Sequence, residues 1–397
     1  MIQPGPVVIP KGFKFSAAKA SIKASGNLDL ALVIAESKTS AAALFTRNLI
    51  TAAPVQVGRT SIAKSKGRVR AVVVNSGNAN CATGTSGLRD CKKICAETAS
   101  LLNIKPAEVF PSSTGIIGVP LPVNKITSHL KVLISDAGAS AGHLHKFSEA
   151  ILTTDSKPKI ASIPLRSGRG AVTGVAKGAG MIHPQMATML VYLLTDVAAK
   201  PAELKTALRK ACDESFNTIS IDGDTSTNDT VLLLASGASG IGYQLVRNEF
   251  DRALQKVCRS LAEQIVADGE GVQHVVRLRI EQARNRTEAL QIARAISHSL
   301  LVKTAWAGAD PNWGRILAAV GRSGVPVDPD KIFISIGQQV VCRRGAACAF
   351  DEKAAHQELS KPECEIGARV GRGKASLLFL TTDLTQEYVK INADYST

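Results

Sequence analysis

One stretch of this 397-residue chain constrains the rest more than any other. It reads Lys177-Gly178-Ala179-Gly180-Met181-Ile182-His183-Pro184-Gln185-Met186-Ala187-Thr188, followed by the apolar run 189–194. An uninterrupted apolar run of this length reads as a buried strand. The glycines and the proline ahead of it predict a loop rather than a helix. Thr188 thus stands at the head of a rigid, buried strand. Its hydroxyl is well placed to attack the carbonyl just before it, at the Ala187–Thr188 bond. Were that bond cut, Thr188 would begin a new chain, and its own α-amine would serve as base for its hydroxyl. An α-amine titrates near ~8, so a useful fraction is neutral at working pH. The bland alternative is an ordinary β-branched strand residue, and the Ala-Thr-Met-Leu pattern alone does not exclude it.

The flanking pattern supports an α/β chain. Short β-rich runs at 31–35, 69–74, 172–175, 189–194, 218–221, 230–234, 276–280 and 332–336 alternate with helical periodicity. Helices are predicted over 88–102, 202–212, 250–266 and 286–300. In the third, Phe250, Leu254, Val257, Leu261 and Ile265 recur at threes and fours. The order of elements leaves the sheet type open. Residues 155–167 are polar and carry a proline, which predicts a connection, and 236–242 reads as a second boundary.

Composition excludes several classes. Hydrophobic residues make up 45% and charged residues 20%, as in a globular protein with a substantial core. No apolar run approaches the ~20 residues of a membrane span. The start carries no secretory pattern, and the eight cysteines form no CxxC pair, so reduced thiols in a cytoplasmic setting are expected. Cys91 and Cys95 lie one helical turn apart and read as small hydrophobes. The formal charge of +15 is compatible with nucleic-acid binding or with a solvated surface that attracts anionic metabolites. The cations are dispersed and aromatics amount to only 4%, which favours the second reading. No zinc-hydrolase histidine spacing and no P-loop is present. Around 222–229, Thr227 and Leu233 stand where an EF-hand needs glycine and glutamate.

The segment 177–190 resembles the cleavage motif of the ornithine acetyltransferase family, the bifunctional glutamate N-acetyltransferases of arginine biosynthesis. Lys177, Gly178, Gly180, Met181, Pro184, Met186, Ala187 and Thr188 match it. Further similarity follows in the family's order: Pro10-Lys11-Gly12-Phe13, the loop from Val74 to Gly84, Ser113-Thr114-Gly115-Ile116-Ile117-Gly118, and Ile151-Leu152-Thr153-Thr154-Asp155. It continues through Asp222 to Asp229, Asp268-Gly269-Glu270-Gly271, Asp310-Pro311-Asn312-Trp313-Gly314-Arg315, and Tyr388 to Tyr395. Two departures are Val272-Gln273-His274, where the family often has Ala-Thr-Lys, and Ser396, where a basic residue commonly stands.

The resemblance implies a two-domain layered α/β sandwich, cut by autoproteolysis between Ala187 and Thr188. The α fragment, 1–187, would hold an N-terminal α/β domain with the oxyanion loop. The β fragment, 188–397, would begin with the nucleophile strand and hold a C-terminal α/β domain. It implies acetyl transfer from N2-acetylornithine to L-glutamate through an acetyl ester on Thr188, with acetyl-CoA as a second possible donor. Thr114 and Gly115 would form an oxyanion hole; on the residues alone they read as a plain turn. Thr153, Lys177, Glu270, Asn392 and Thr397, with Thr188, would bind substrate. The tail would then have to fold back into a cleft. His183 is read as incidental. No metal or cofactor is implied, and an α2β2 assembly is. An aminopeptidase or amidohydrolase of related, self-processing fold is the alternative.

Overall fold

The computed structural model describes residues 7–166, 168, 170–183 and 189–394. The strand Leu190–Thr195 is buried at every position, as the apolar run predicts. Its side chains alternate between two cores. Val191 and Leu193 face a helical layer, and Leu190, Tyr192 and Leu194 face a second sheet. Period-two alternation places successive residues on opposite faces, so a strand apolar throughout must lie between two layers.

This strand is the centre of a five-stranded sheet ordered Ser40–Phe45, Thr230–Ala235, Leu190–Thr195, Ala171–Lys177, Lys159–Pro164. It runs parallel to Thr230–Ala235 and antiparallel to Ala171–Lys177. The facing sheet has four strands, ordered Phe13–Ala18, Leu30–Ala35, Ala71–Asn78, Val109–Ile116. The two sheets share a core that includes Phe15, Val33, Val72, Val74, Tyr192 and Leu232. Phe147 packs edge-on against Tyr192, at 5.4 Å between ring centroids.

Helices Pro201–Asp213 and Tyr243–Ala267 cover the outer face of the five-stranded sheet. Helices Ala53–Lys64, Gly84–Leu102 and Val123–Ser135 cover the other. Cys91 and Cys95 pack there as small apolar groups. The result is a helix–sheet–sheet–helix sandwich, the layered α/β form expected.

A C-terminal unit has its own core. Its mixed six-stranded sheet includes Val275–Ala283, Glu363–Arg369 and Ala375–Thr382, backed by helices Arg286–Ser297 and Trp313–Gly321. Val276, Leu278 and Ile280 point into that core. On the other face Arg277 and Arg279 pair with Glu363 and Glu365 at 2.9 and 3.0 Å. Among the described residues no helix is long and apolar enough to cross a membrane.

Several local expectations need correction. Residues 218–221 form no strand: a 3-10 turn ends at Thr218, and the next residues bond to different partners. Ser220 N–H donates to Leu380, while Ile221 N–H donates to Ile182. The polar stretch 155–167 contains the strand Lys159–Pro164, an edge strand, where proline is tolerated. Residues 236–242 separate no domains, because the helix after them packs on the same sheet as the strand before them. The helical pattern at 286–300 divides into Arg286–Ser297 and Leu300–Ala307.

Candidate active site

A cavity of about 270 Å³ opens at the end of the sandwich, against the first turn and last helix of the C-terminal region. It gathers the described members of the expected site: Thr114, Gly115, Thr153, Lys177, Glu270 and Asn392 all line it. Ala187, Thr188 and Thr397 lie outside the described residues. Thr188 is nonetheless bonded to Met189, which lines the cavity.

Thr114 and Gly115 are not a free loop, as the sequence suggests, but the end of the strand Val109–Ile116. That strand runs parallel to Ala71–Asn78 in register Ser76↔Thr114 and Gly77↔Gly115, then slips at Asn78. Gly115 has φ +130°, and a Cβ there would lie 2.3 Å from the carbonyl carbon of Gly77. Only glycine fits this irregularity, which lets two strand ends close on each other. Asn228 fastens it: its amide donates to the carbonyls of Ala79 (2.6 Å) and Ser113 (2.8 Å). The loop 222–229 is thus structural support, and it also forms cavity wall through Asp222, Asp224 and 226–229.

The two glycines of the lysine loop have separate tasks. Gly178 donates its N–H to Asp155 at 2.6 Å. Gly180 lies against Glu270; a Cβ there would come within 2.4 Å of that carboxylate. The Glu270 N–H donates to the carbonyl of Ala179, and its carboxylate accepts from Asn392 at 2.9 Å.

The C-terminal helix Gln386–Asp394 folds back onto the cavity as the tail roles require. Gly271, at φ +65°, admits it, since any Cβ would meet the Tyr388 backbone at 2.3 Å. Thr385 Oγ1 donates to the Gly271 carbonyl at 2.6 Å. The departing triplet 272–274 is held by its own contacts. Gln273 N–H donates to Asp383, and the His274 ring meets the Lys361 carbonyl.

Sequence reasoning assigned no role to Asp155, Lys159 and Asp268. Lys159 is fully buried between the two carboxylates, 2.7 Å from Asp155 and 2.6 Å from Asp268. Burial pushes the Asp155 carboxyl up, but the charges of Lys177 and Lys159 and the bonds to it outweigh burial and hold it below its ordinary value. Asp155 also accepts from Thr153 N–H at 3.2 Å. Asp222 holds the turn ahead of the expected cleavage site. Its carboxylate accepts from Met181 N–H (2.6 Å) and Ile182 N–H (2.9 Å), and Met181 has φ +55°. Burial raises this carboxyl to about 6, against the bonds that it accepts.

His183 is more than incidental. Its ring is buried and packs edge-on against His298, with Nδ1 3.0 Å from His298 Nε2. Burial, then neighbouring cationic groups, lowers His183 to about 3 and His298 to about 4. The pair joins the segment before the expected cleavage site to the C-terminal unit. Among the described residues no group of three or more His, Cys, Asp or Glu side chains is arranged to hold a metal ion.

The comparisons with known proteins decide the family. The model of the ArgJ family matches residues 14–397. This chain belongs to the ArgJ family. A glutamate N-acetyltransferase of Methanopyrus kandleri is 44% identical, covering 98% of this chain and 99% of its own. An arginine biosynthesis bifunctional protein ArgJ of Dehalococcoides mccartyi is 42% identical over 99% of this chain and 98% of its own. A crystal structure of the ArgJ protein of Bacillus halodurans is 38% identical, covering 50% of this chain and 96% of its own, with a TM-score of 0.48.

Two predictions follow from the electrostatics of this ArgJ member. Lys159→Met leaves Asp155 and Asp268 buried against each other, and we expect a loss of about 3–5 kcal/mol in urea denaturation. Unchanged stability would show that the lysine is dispensable. The histidine pair sets a pH dependence. With both rings depressed from 6.5, the unfolded chain binds protons that the folded chain does not. Their contribution is present above 6.5, declines as pH falls below it, and is lost by about 3. Asp222 opposes this between 3.8 and about 6, where the folded state binds the extra proton. Thermal melts across this window should fall with acidification, and His298→Gln should flatten the fall.

Proposed function

We propose that this chain is a glutamate N-acetyltransferase that moves an acetyl group from N2-acetylornithine to L-glutamate through an ester on Thr188. Family membership over nearly the whole chain supports the activity. The observation that carries the site assignment is the single cavity that collects six expected residues beside Met189.

The precursor first cuts itself. Thr188 Oγ attacks the Ala187 carbonyl, the C–N bond breaks to leave an ester and a free Thr188 α-amine that keeps the proton, and water hydrolyses the ester to the Ala187 carboxylate and the Thr188 hydroxyl. Strands from both sides of this bond share the five-stranded sheet, so the fragments stay joined. In the transfer, the α-amine takes the proton from Thr188 Oγ as the oxygen attacks the acetyl carbonyl of N2-acetylornithine. The amide C–N bond breaks, the proton passes to the leaving amine, and ornithine departs. The amine of glutamate then attacks the ester, and the threonine hydroxyl is restored.

Both steps pass through a tetrahedral oxyanion, for which Thr114 and Gly115 are the stabilising groups, worth roughly 3 kcal/mol per donor. Glu270 supplies the negative charge for the side-chain ammonium of ornithine, and Asp222 and Asp224 add to it across the cavity. Lys177 meets the substrate carboxylate. Thr153, Asn392 and Thr397 complete the contacts, and the finished assembly is α2β2. If acetyl-CoA also loads Thr188, N-acetylglutamate forms from it without N2-acetylornithine.

Wild-type protein should run as fragments 1–187 and 188–397 under denaturing conditions. It should gain one acetyl mass on the second fragment with N2-acetylornithine. Thr188→Ala should remain one piece and be inactive; retained transferase activity in that variant would refute the scheme. Gly180→Ala should displace the Glu270 carboxylate while leaving processing intact. Its signature is a raised KM for N2-acetylornithine, by roughly tenfold for one weakened charge contact, with little change in the half-reaction of glutamate.

A further inference from the structure

A second cleft, of about 650 Å³, lies where the sandwich meets the C-terminal unit. It shares no lining residue with the cavity above. Helix Pro201–Asp213 contributes Arg209 and Lys210 to it. Helix Arg286–Ser297 contributes Arg286 and Arg294, eight residues apart and therefore on one stripe of that helix. Arg47 comes from the turn after Ser40–Phe45.

Among the described residues, the two acids in the cleft form no ion pair with Arg209, Lys210, Arg286 or Arg294. Asp213 Oδ1 accepts from the Asn217 amide at 2.8 Å, and Glu214 accepts from the Gln255 amide. Arg286 donates to the backbone carbonyl of Asp213, not to its carboxylate. Among the described residues, Arg209, Lys210, Arg286 and Arg294 have no carboxylate within salt-bridge distance. Arg294 is half-buried, and its Nε is buried without a hydrogen-bond partner among the described residues. Burial, then the charge of Arg47, pulls its guanidinium below its ordinary value. A fold that holds like charges together in a concavity, one with a buried orphan donor, is completed by an anion.

We propose that this cleft binds a phosphorylated small molecule carrying at least two negative charges, held by Arg209, Lys210, Arg286 and Arg294. The volume falls in the range of small-molecule sites, roughly 300–1,000 Å³. Four arginines line the cleft with one lysine, and the guanidinium fork matches phosphate oxygens in pairs. One amino-acid carboxylate would call for a single cation. The proposal is independent of the chemistry at Thr188.

The test is isothermal titration of the purified full-length protein with ADP and, separately, with inorganic pyrophosphate. Saturable one-to-one binding that weakens with salt is expected for both. Arg209→Glu with Lys210→Glu should weaken it by roughly tenfold or more, with thermal melting and transferase activity unchanged. Lys353→Glu with Lys374→Glu reverses the same number of charges at exposed positions outside the cleft, and should leave binding intact. Absence of saturable binding, or equal loss in the two double variants, would overturn the proposal. The second result would assign the affinity to the basic surface as a whole.

Discussion

The site depends on one buried cation. Lys159 lies between Asp155 and Asp268 with no exposure to solvent. Each carboxylate stands behind a different part of the cavity wall, next to residues that do line it. Asp155 follows Thr153 and receives the N–H of Gly178, so it fixes the lysine loop. Asp268 ends the helix Tyr243–Ala267 and stands two residues before Glu270. A charge taken out of water needs closely matched partners, and this geometry leaves little freedom to any of the three. Thr153, Lys177 and Glu270 are thereby placed relative to one another by groups that do not themselves line the cavity.

Around that anchor, close backbone approaches do the shaping. Gly115 lets two strand ends meet, Gly180 admits a carboxylate, and Gly271 admits the C-terminal helix. In each case a single Cβ would enter space already taken. The precision of the cavity thus comes from missing side chains as much as from those present. Asp222 adds a hold on the turn at Met181, the last described stretch before the expected cleavage site, and the histidine pair ties the same stretch to the C-terminal unit.

Much of the architecture was legible because a strand buried on both faces must be apolar throughout. The runs at 189–194 and 230–234 became neighbouring central strands for that reason. Less central strands carry a weaker signal. Phe13–Ala18, Ser40–Phe45 and Lys159–Pro164 mix small, polar and charged residues, and they lie at sheet edges. Residues 218–221 show the opposite error: they have strand composition but bond to separate partners. The site motifs were recognisable as a set, whereas the roles of Asp155, Lys159 and Asp268 were not. An acid 109 residues from its lysine leaves no local pattern.

By itself the sequence determined the family, the buried strand Leu190–Thr195, and the layered α/β class, because these rest on contiguous residues and local periodicity. Only the tertiary structure decided which walls meet. It brought Thr114, Lys177, Glu270 and Asn392 around one cavity, laid the helix Gln386–Asp394 against it, and left five cations facing a second cleft. Such juxtapositions are set by packing between layers and by buried charge, which act through space across more than a hundred residues of chain.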